Sequence, residues 1–412
     1  MNAKIQISSP LINGKVHLSG SKSISNRLII LQALSGHSNE LKNLSDSDDT
    51  TVLQKALSAK DTTINVGIAG TAMRFLTAYY ALRGSEVILT GASRMKERPI
   101  KGLVDALSSL GANIEYMEIE GFPPLKIKGG NLKGGILQMK ADVSSQFISA
   151  ILMIAPYFEK GIQLKLIGEV LSRPYIEMTL NLMEKQGVPY QWVEDTISIL
   201  PGNYQNNITQ VESDWSSISY IFELVALSDS GYIQLTQVDE CSIQGDQEGM
   251  RYFELLGVDS NIEQGVLTLR KKSDFELPKL LELDCLKTPD IAQTLAATAC
   301  GLGVRMKLTG LKSLPIKETD RLIALKNELE KCGAQVQIIN NEALDIIPGS
   351  EFLNRSINFE TYGDHRMALC LAPLALKAKQ VNLNNPMVVN KSYKSYWDDL
   401  RRLSFNIEFK NK

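Results

Sequence analysis

Side chains that cross-link a protein or bind metals are scarce in this sequence, with five cysteines and three histidines in 412 residues. Cys241, Cys285, Cys300, Cys332 and Cys370 show no CxxC spacing and mostly have apolar neighbours. They read as free, buried thiols of a reducing compartment, not as a disulfide framework. HExxH and paired histidines are absent, so no metal is expected. Neither GxxxxGK[ST] nor GxGxxG occurs, which argues against a nucleotide ligand. No apolar run nears the ~18 residues of a membrane span. The first residues, MNAKIQISSP, lack the apolar centre of a secretory signal, so a cytoplasmic location is expected. Charge of one sign is not in excess either: the net charge of −2 disfavours nucleic acid or an anionic membrane as partner.

What is present is an ordinary globular composition, 44% apolar and 22% charged, in a chain long enough for two domains. Six segments repeat one plan of a short strand, a polar or small turn and an apolar helix. They are VHLSGSKSISNRLIILQAL, INVGIAGTAMRFLTAYYAL, LQMKADVSSQFISAILMI, TQVESDWSSISYIFELVAL, LELDCLKTPDIAQTLAATA and INFETYGDHRMALCLAPLAL. Counted from Lys22, Thr71, Ser144, Ser216, Ile291 and His365, they recur roughly every 73 residues after a shorter first interval, too long for a solenoid. A second series ends a polar helix at Gly111, Gly187, Gly257 or Gly333 before a strand, where glycine accepts the left-handed backbone. The pattern predicts a βαβ-containing unit used six times, three per domain, dividing near residue 212.

The six helix starts hold the chemistry. Lys22, Ser23 and Arg27 open the first, Gly70 to Arg74 the second, and Ser144, Ser145 and Gln146 the third. SDWSS opens the fourth, TPDIAQ with Asp290 the fifth, and Asp364, His365 and Arg366 the sixth. RMKERP with Arg98, KETDR with Lys317, Glu318 and Arg321, and NKSYK with Lys391 add basic segments. A cation in the first turns opposes the helix dipole unless an anion joins it. Helix N-termini, serines and basic groups together suit phosphate and carboxylate. Each has a plainer reading. Ser144, Asp214 and Asp290 also suit N-caps, and Thr288 as N-cap with Pro289 following is good capping grammar. KETDR also reads as a solvated, salt-bridged turn.

GSKSISNR, AGTAMR, LTGASRMKERPIKGLVDAL, SSQF, LSRPYIEMTLNLM, QGD, PDIAQTLA, IKETDR and GDHRMA span the chain in order. In these stretches the sequence resembles the 5-enolpyruvylshikimate-3-phosphate synthases of the enolpyruvyl transferase family. The resemblance implies a two-domain α/β (α+β) fold with three βαβαββ units in each domain. It places residues 21–212 in one domain, 1–20 with 213–412 in the other, and the active site in the cleft between them. It implies a transferase of the shikimate route to chorismate and the aromatic amino acids, monomeric and free of cofactor or metal. The enolpyruvyl group of phosphoenolpyruvate passes to the 5-hydroxyl of shikimate 3-phosphate and phosphate leaves.

By the same resemblance, shikimate 3-phosphate is bound by Lys22, Ser23, Arg27, Ser144, Ser145, Gln146, Ser172, Tyr175, Asp290 and Lys317. Phosphoenolpyruvate is bound by Lys22, Gly70, Arg98, Gln146, Arg321, Arg366 and Lys391. Asp290 is the implied base, Glu318 and Lys22 handle the methylene proton, and His365 and Lys391 assist phosphate departure or carry protons. Some positions depart from the family pattern. Ile68 and Phe75 replace an asparagine and a proline of NAGTAxRP beside the phosphoenolpyruvate pocket, so an altered response to glyphosate is expected. Trp215 enters VEGDxSS, where Ser213 replaces the glycine, Ser313 takes a family asparagine, and Lys394 replaces a proline. Two alternatives stand beside this reading. Transfer to UDP-N-acetylglucosamine is disfavoured because its reactive cysteine would fall within residues 1–240, which hold none. A non-catalytic relic of the fold is disfavoured by intact Lys22, Asp290, Glu318, Arg321, His365 and Arg366.

Overall fold

A computed structural model describes residues 1–410 except 38–39, 85, 142–143, 206 and 350–353. The chain divides into two compact units, Gly20–Val211 and Met1–Ser19 with Glu212–Lys412.

In the Gly20–Val211 unit, one sheet orders Thr63–Asn65, Val87–Thr90, Leu125–Gly129 and Asn113–Tyr116. A second orders Gly135–Lys140, Ile162–Ile167, Thr196–Ile199 and Tyr190–Val193. In both, the first two strands are parallel and the last two join antiparallel. A parallel pair needs a crossover, and the buried helices Gly70–Arg83 and Ser145–Ile154 supply it. The first repeat departs from the expected unit. Around its helices Lys22–Ser35 and Asp48–Ser58, strand pairing among the described residues is reduced to isolated bridges, such as the parallel one of Lys42 to Gln210. The returning segment PGNYQNNITQ is rich in turn-forming residues and poor in strand formers, which accounts for the reduction.

The other unit holds three sheets of the same plan. One joins Leu11–Val16, Ser230–Thr236, Val266–Lys271 and Val258–Glu263, and one joins Leu280–Asp284, Arg305–Thr309, Ala343–Ile347 and Gln335–Ile339. In the third, Asn2–Ile7 lies antiparallel between Gln380–Asn384 and Phe405–Lys410. Buried helices Trp215–Leu227, Ala292–Leu302 and His365–Leu371 connect the parallel pairs. Small side chains let them approach closely: a Cβ at Gly301 would stand 2.5 Å from Leu227 Cδ2. Hydroxyls within them can be satisfied locally, as where Thr298 Oγ1 donates to the Thr294 carbonyl at 2.7 Å.

The local grammar reads as the sequence predicts. Ser21 caps Lys22–Ser35, which ends at Gly36 with φ 74°. Gly111, Gly187, Gly257 and Gly333 all have positive φ. One expectation fails: Thr288 is not a helix cap. The helix begins at Ala292 behind Ile291, because Ile291 N–H donates to the Thr288 carbonyl at 3.2 Å and closes a separate turn. Cysteines 285, 300, 332 and 370 are buried free thiols, whereas Cys241 is exposed. No helix among the described residues is long and apolar enough to cross a membrane.

Candidate active site

In the Gly20–Val211 unit the candidates gather around one guanidinium. Arg27, in the second turn of Lys22–Ser35, is 2% exposed. Its Nε donates to Thr179 Oγ1 at 2.7 Å, and its terminal nitrogens donate to the carbonyls of Ser23 at 2.8 Å and Tyr175 at 3.1 Å and to Ser149 Oγ at 3.3 Å. All these acceptors are neutral, and among the described residues no carboxylate pairs with it. Burial draws its pKa down to about 10. A cation kept from water without a counter-charge favours a site where an anion docks. Phe75 is buried beside it, with the ring centre 5.6 Å from the guanidinium carbon.

The other members stand at helix starts of the same unit. Lys22 Nζ lies 3.8 Å from Asp49 Oδ2, so the cation at this N-terminus has an acidic neighbour on Asp48–Ser58. Ser172 precedes Arg173–Lys185 in a left-handed conformation, φ 55°, which side chains with a Cβ avoid. Backbone strain of this kind concentrates at binding sites. Ser144 Oγ accepts from Gln146 N–H at 3.3 Å, and Gln146 Nε2 donates to Thr71 Oγ1 at 3.1 Å, tying two helix starts together. Gly70 opens its helix with no side-chain cap, and a Cβ there would sit 2.5 Å from terminal nitrogens of both Arg74 and Arg98. Only glycine lets both guanidiniums stand against that N-terminus.

In the other unit the candidates form one ionic network. Arg321, 1% exposed, donates through Nε to Asp364 Oδ2 at 2.7 Å, and through its terminal nitrogens to Glu318 Oε2 at 2.9 Å and Asp290 Oδ1 at 3.3 Å. Burial would lower its pKa, but the three carboxylates, Asp364 foremost, raise it. Arg366 meets Asp290 Oδ2 at 2.9 Å, donates to the Asp290 carbonyl at 2.9 Å, and reaches Ser216 Oγ at 3.4 Å and the Tyr220 hydroxyl at 3.3 Å. This one side chain therefore joins the starts of the helices at Trp215, Ala292 and His365. Lys317 Nζ is 4.0 Å from Asp290 Oδ1, and burial lowers its pKa. Lys391, 5% exposed, donates to Glu318 Oε1. His365 is 1% exposed, with Nδ1 3.5 Å from Asp364 Oδ1.

KETDR is thus not a solvated turn: Asp320 caps the helix by accepting from Leu322 and Ile323, and Arg321 turns inward. Nor does Asp290 cap a helix; its carboxylate faces Lys317, Arg321 and Arg366. Ser144 and Asp214 do cap. Among the departures, Ile68 is 50% exposed, Trp215 is buried and donates its backbone N–H to Gln244 Oε1 at 3.1 Å, and buried Ser313 Oγ has no partner among the described residues.

Sequence reasoning left three carboxylates without a role. Asp49 stands beside Lys22, and Asp364, which also caps its helix, clasps Arg321. Asp246, in QGD, takes the Ser216 hydroxyl at 2.5 Å, and burial and then Asp290 push its pKa up to about 7. Only their distant partners give them away. Among the described residues, no group of three or more His, Cys, Asp or Glu side chains is set to hold a metal ion.

A family model described as EPSP synthase (3-phosphoshikimate 1-carboxyvinyltransferase) matches residues 6–59 and 52–400. A 3-phosphoshikimate 1-carboxyvinyltransferase of Bacteroides fragilis is 44% identical, covering 96% of this chain and 97% of that protein. One from Vibrio cholerae is 37% identical with the same coverage. The solved EPSP synthase of Acinetobacter baumannii has a TM-score of 0.79 at 19% identity, covering 99% of this chain and 100% of its own. The enolpyruvyl transferase NikO of Streptomyces tendae has a TM-score of 0.73 at 15% identity, covering 99% of this chain and 98% of its own. These two likenesses show the fold.

Proposed function

For this chain, which belongs to the EPSP synthase family, we propose how the residues of its two units divide the family reaction. The reaction is the transfer of the enolpyruvyl group of phosphoenolpyruvate to the 5-hydroxyl of shikimate 3-phosphate, with release of phosphate.

Two anionic substrates repel each other, and a dense set of fixed cations offsets that repulsion. Arg27, with Ser23, Ser144, Ser145, Ser172 and Tyr175, takes the phosphate side of shikimate 3-phosphate. What supports this is that Arg27 has only neutral acceptors around it. Asp290 and Lys317 serve the ring hydroxyls. Arg98, Arg321, Arg366 and Lys391 hold phosphoenolpyruvate, with Gly70 and Gln146 offering backbone and amide donors, and Lys22 serves both substrates.

The 5-hydroxyl oxygen attacks the substituted vinyl carbon while Asp290 accepts its proton. The methylene carbon takes a proton, a step assigned to Lys22 and Glu318, leaving a tetrahedral adduct. That adduct then loses a methyl proton and phosphate together, which restores the double bond; His365 and Lys391 carry the proton to the departing group. The observation that carries the assignment is Asp290, a carboxylate among three cations and outside any helix cap. Asp290→Asn keeps the shape and removes the base, so phosphate release from the two substrates should fall about 10²- to 10⁴-fold. An Asp290→Asn protein that turns over within threefold of wild type would refute the role. A wild type that releases no phosphate would refute the whole reading.

A further inference from the structure

Glu328 belongs to no part of the site described so far, yet its side chain is fully buried. It lies on the Arg321–Glu330 helix, seven residues after Arg321. Two helical turns separate the pair, so both side chains lie on one face, about 10 Å apart along the axis. Its Oε2 accepts from Glu360 N–H at 2.9 Å and from Lys331 Nζ at 2.6 Å, and its Oε1 accepts from the Tyr362 hydroxyl at 2.7 Å. Lys331 directly follows the Arg321–Glu330 helix, whereas Glu360 and Tyr362 belong to the turn that leads into the His365–Leu371 helix. There Tyr362 and Gly363 both have left-handed backbone, φ 54° and 67°. A tyrosine does not hold that conformation without support.

The turn is fixed from other sides as well. Thr361 N–H donates to Asn384 Oδ1 at 2.7 Å, and Asp364 N–H donates to the Thr361 carbonyl at 2.8 Å. Asp364 then clasps Arg321 and accepts from Arg366 N–H at 2.9 Å. One helix face therefore grips the turn twice, at Asp364 through Arg321 and at 360–362 through Glu328. Arg321 holds only the Asp364 end of the turn, and Glu328 adds a grip at its other end from the same helix.

We infer that Glu328 is a positioning residue for the phosphoenolpyruvate-binding guanidiniums, holding the 360–363 turn so that Asp364 and Arg366 meet Arg321 and Asp290 in one arrangement. The inference rests on the proposed assignment of Arg321 and Arg366 to phosphoenolpyruvate. A carboxylate that served stability alone would, when removed, reduce the amount of folded enzyme and leave both Michaelis constants alone. A positioning residue changes the constant of the substrate whose ligands it places.

The test uses the full chain as wild type, Glu328→Ala, Glu328→Gln and Tyr362→Phe, with each substrate varied in turn and amide hydrogen exchange followed over residues 360–364. Glu328→Ala should raise KM for phosphoenolpyruvate at least tenfold, keep KM for shikimate 3-phosphate within twofold, and speed exchange in the turn. Glu328→Gln should return KM to within threefold of wild type. Its amide oxygen still accepts from Glu360 N–H, and the Tyr362 hydroxyl can rotate to accept from its NH₂. Tyr362→Phe should fall between, near threefold. An unchanged KM for phosphoenolpyruvate in Glu328→Ala, or a glutamine variant no better than alanine, overturns the inference. Should Glu328→Ala fail to fold, a Tyr362→Phe enzyme with wild-type KM overturns it. A wild type without turnover would sink the functional reading, while exchange in the turn still decides whether Glu328 holds it.

Discussion

Arg27 and Arg321 are both buried guanidiniums, yet they are balanced in opposite ways. Arg27 rests on neutral oxygens, so its charge is available to a docking anion; Arg321 is bound by Asp290, Glu318 and Asp364. The ring of Phe75 seats Arg27, which bears on the two departures from the family pattern. Phe75 lies inside Gly70–Arg83, so proline there would remove the ring from beside Arg27 and cost about 3 kcal/mol of helix stability in this setting. Ile68 is half exposed and ends no packing contact of that kind, so Ile68→Asn alone is the sharper probe. It should shift the glyphosate concentration for half inhibition severalfold, measured by phosphate release at fixed phosphoenolpyruvate. Identical inhibition curves would remove Ile68 from the pocket.

The Trp215–Leu227 helix carries a cost unrelated to substrate. Glu223 is fully buried, neither carboxyl oxygen has a partner among the described residues, and burial holds its pKa well above the usual carboxylate range. The folded state holds this proton to higher pH than the unfolded chain, which ionises near pH 4.3. Its contribution is therefore complete below that pH and erodes as pH rises towards the folded value, by up to about 1.4 kcal/mol per pH unit. Glu223→Met removes this erosion. The variant should melt above wild type at pH 7, with a gap that widens as pH rises from 5 towards the folded value in thermal unfolding. A gap independent of pH would mean Glu223 is not buried neutral.

In the molecule as a whole, the first strand is a central one. Asn2–Ile7 fills the gap between Gln380–Asn384 and Phe405–Lys410, with Ala3 and Ile5 buried beneath. Removing residues 2–7 strips the ladder from both neighbours and opens the core of that unit, a loss comparable to the roughly 5–15 kcal/mol that stabilises a domain. Limited proteolysis of the truncated chain should digest the Glu212–Lys412 portion and spare Gly20–Val211, whose sheets contain no residue before Thr63. Equal resistance of both portions would show that the strand is dispensable.

The sequence by itself determined whatever depends on near neighbours. Caps such as Ser21, left-handed glycines such as Gly36, the buried small-residue helices and the gathered cations are set by short-range sterics, hydrogen bonding and periodicity. So were the motifs that mark the family. The tertiary structure decided which charges meet. Arg321 pairs with Asp364, 43 positions away, and Arg366 with Asp290, and neither separation leaves a periodic trace. For the same reason the near neighbours of Asp290 suited a helix cap as well as a site carboxylate, and Glu328 carried no signal. Local rules fix where a side chain starts. Only the packing of distant segments fixes which partner replaces its water.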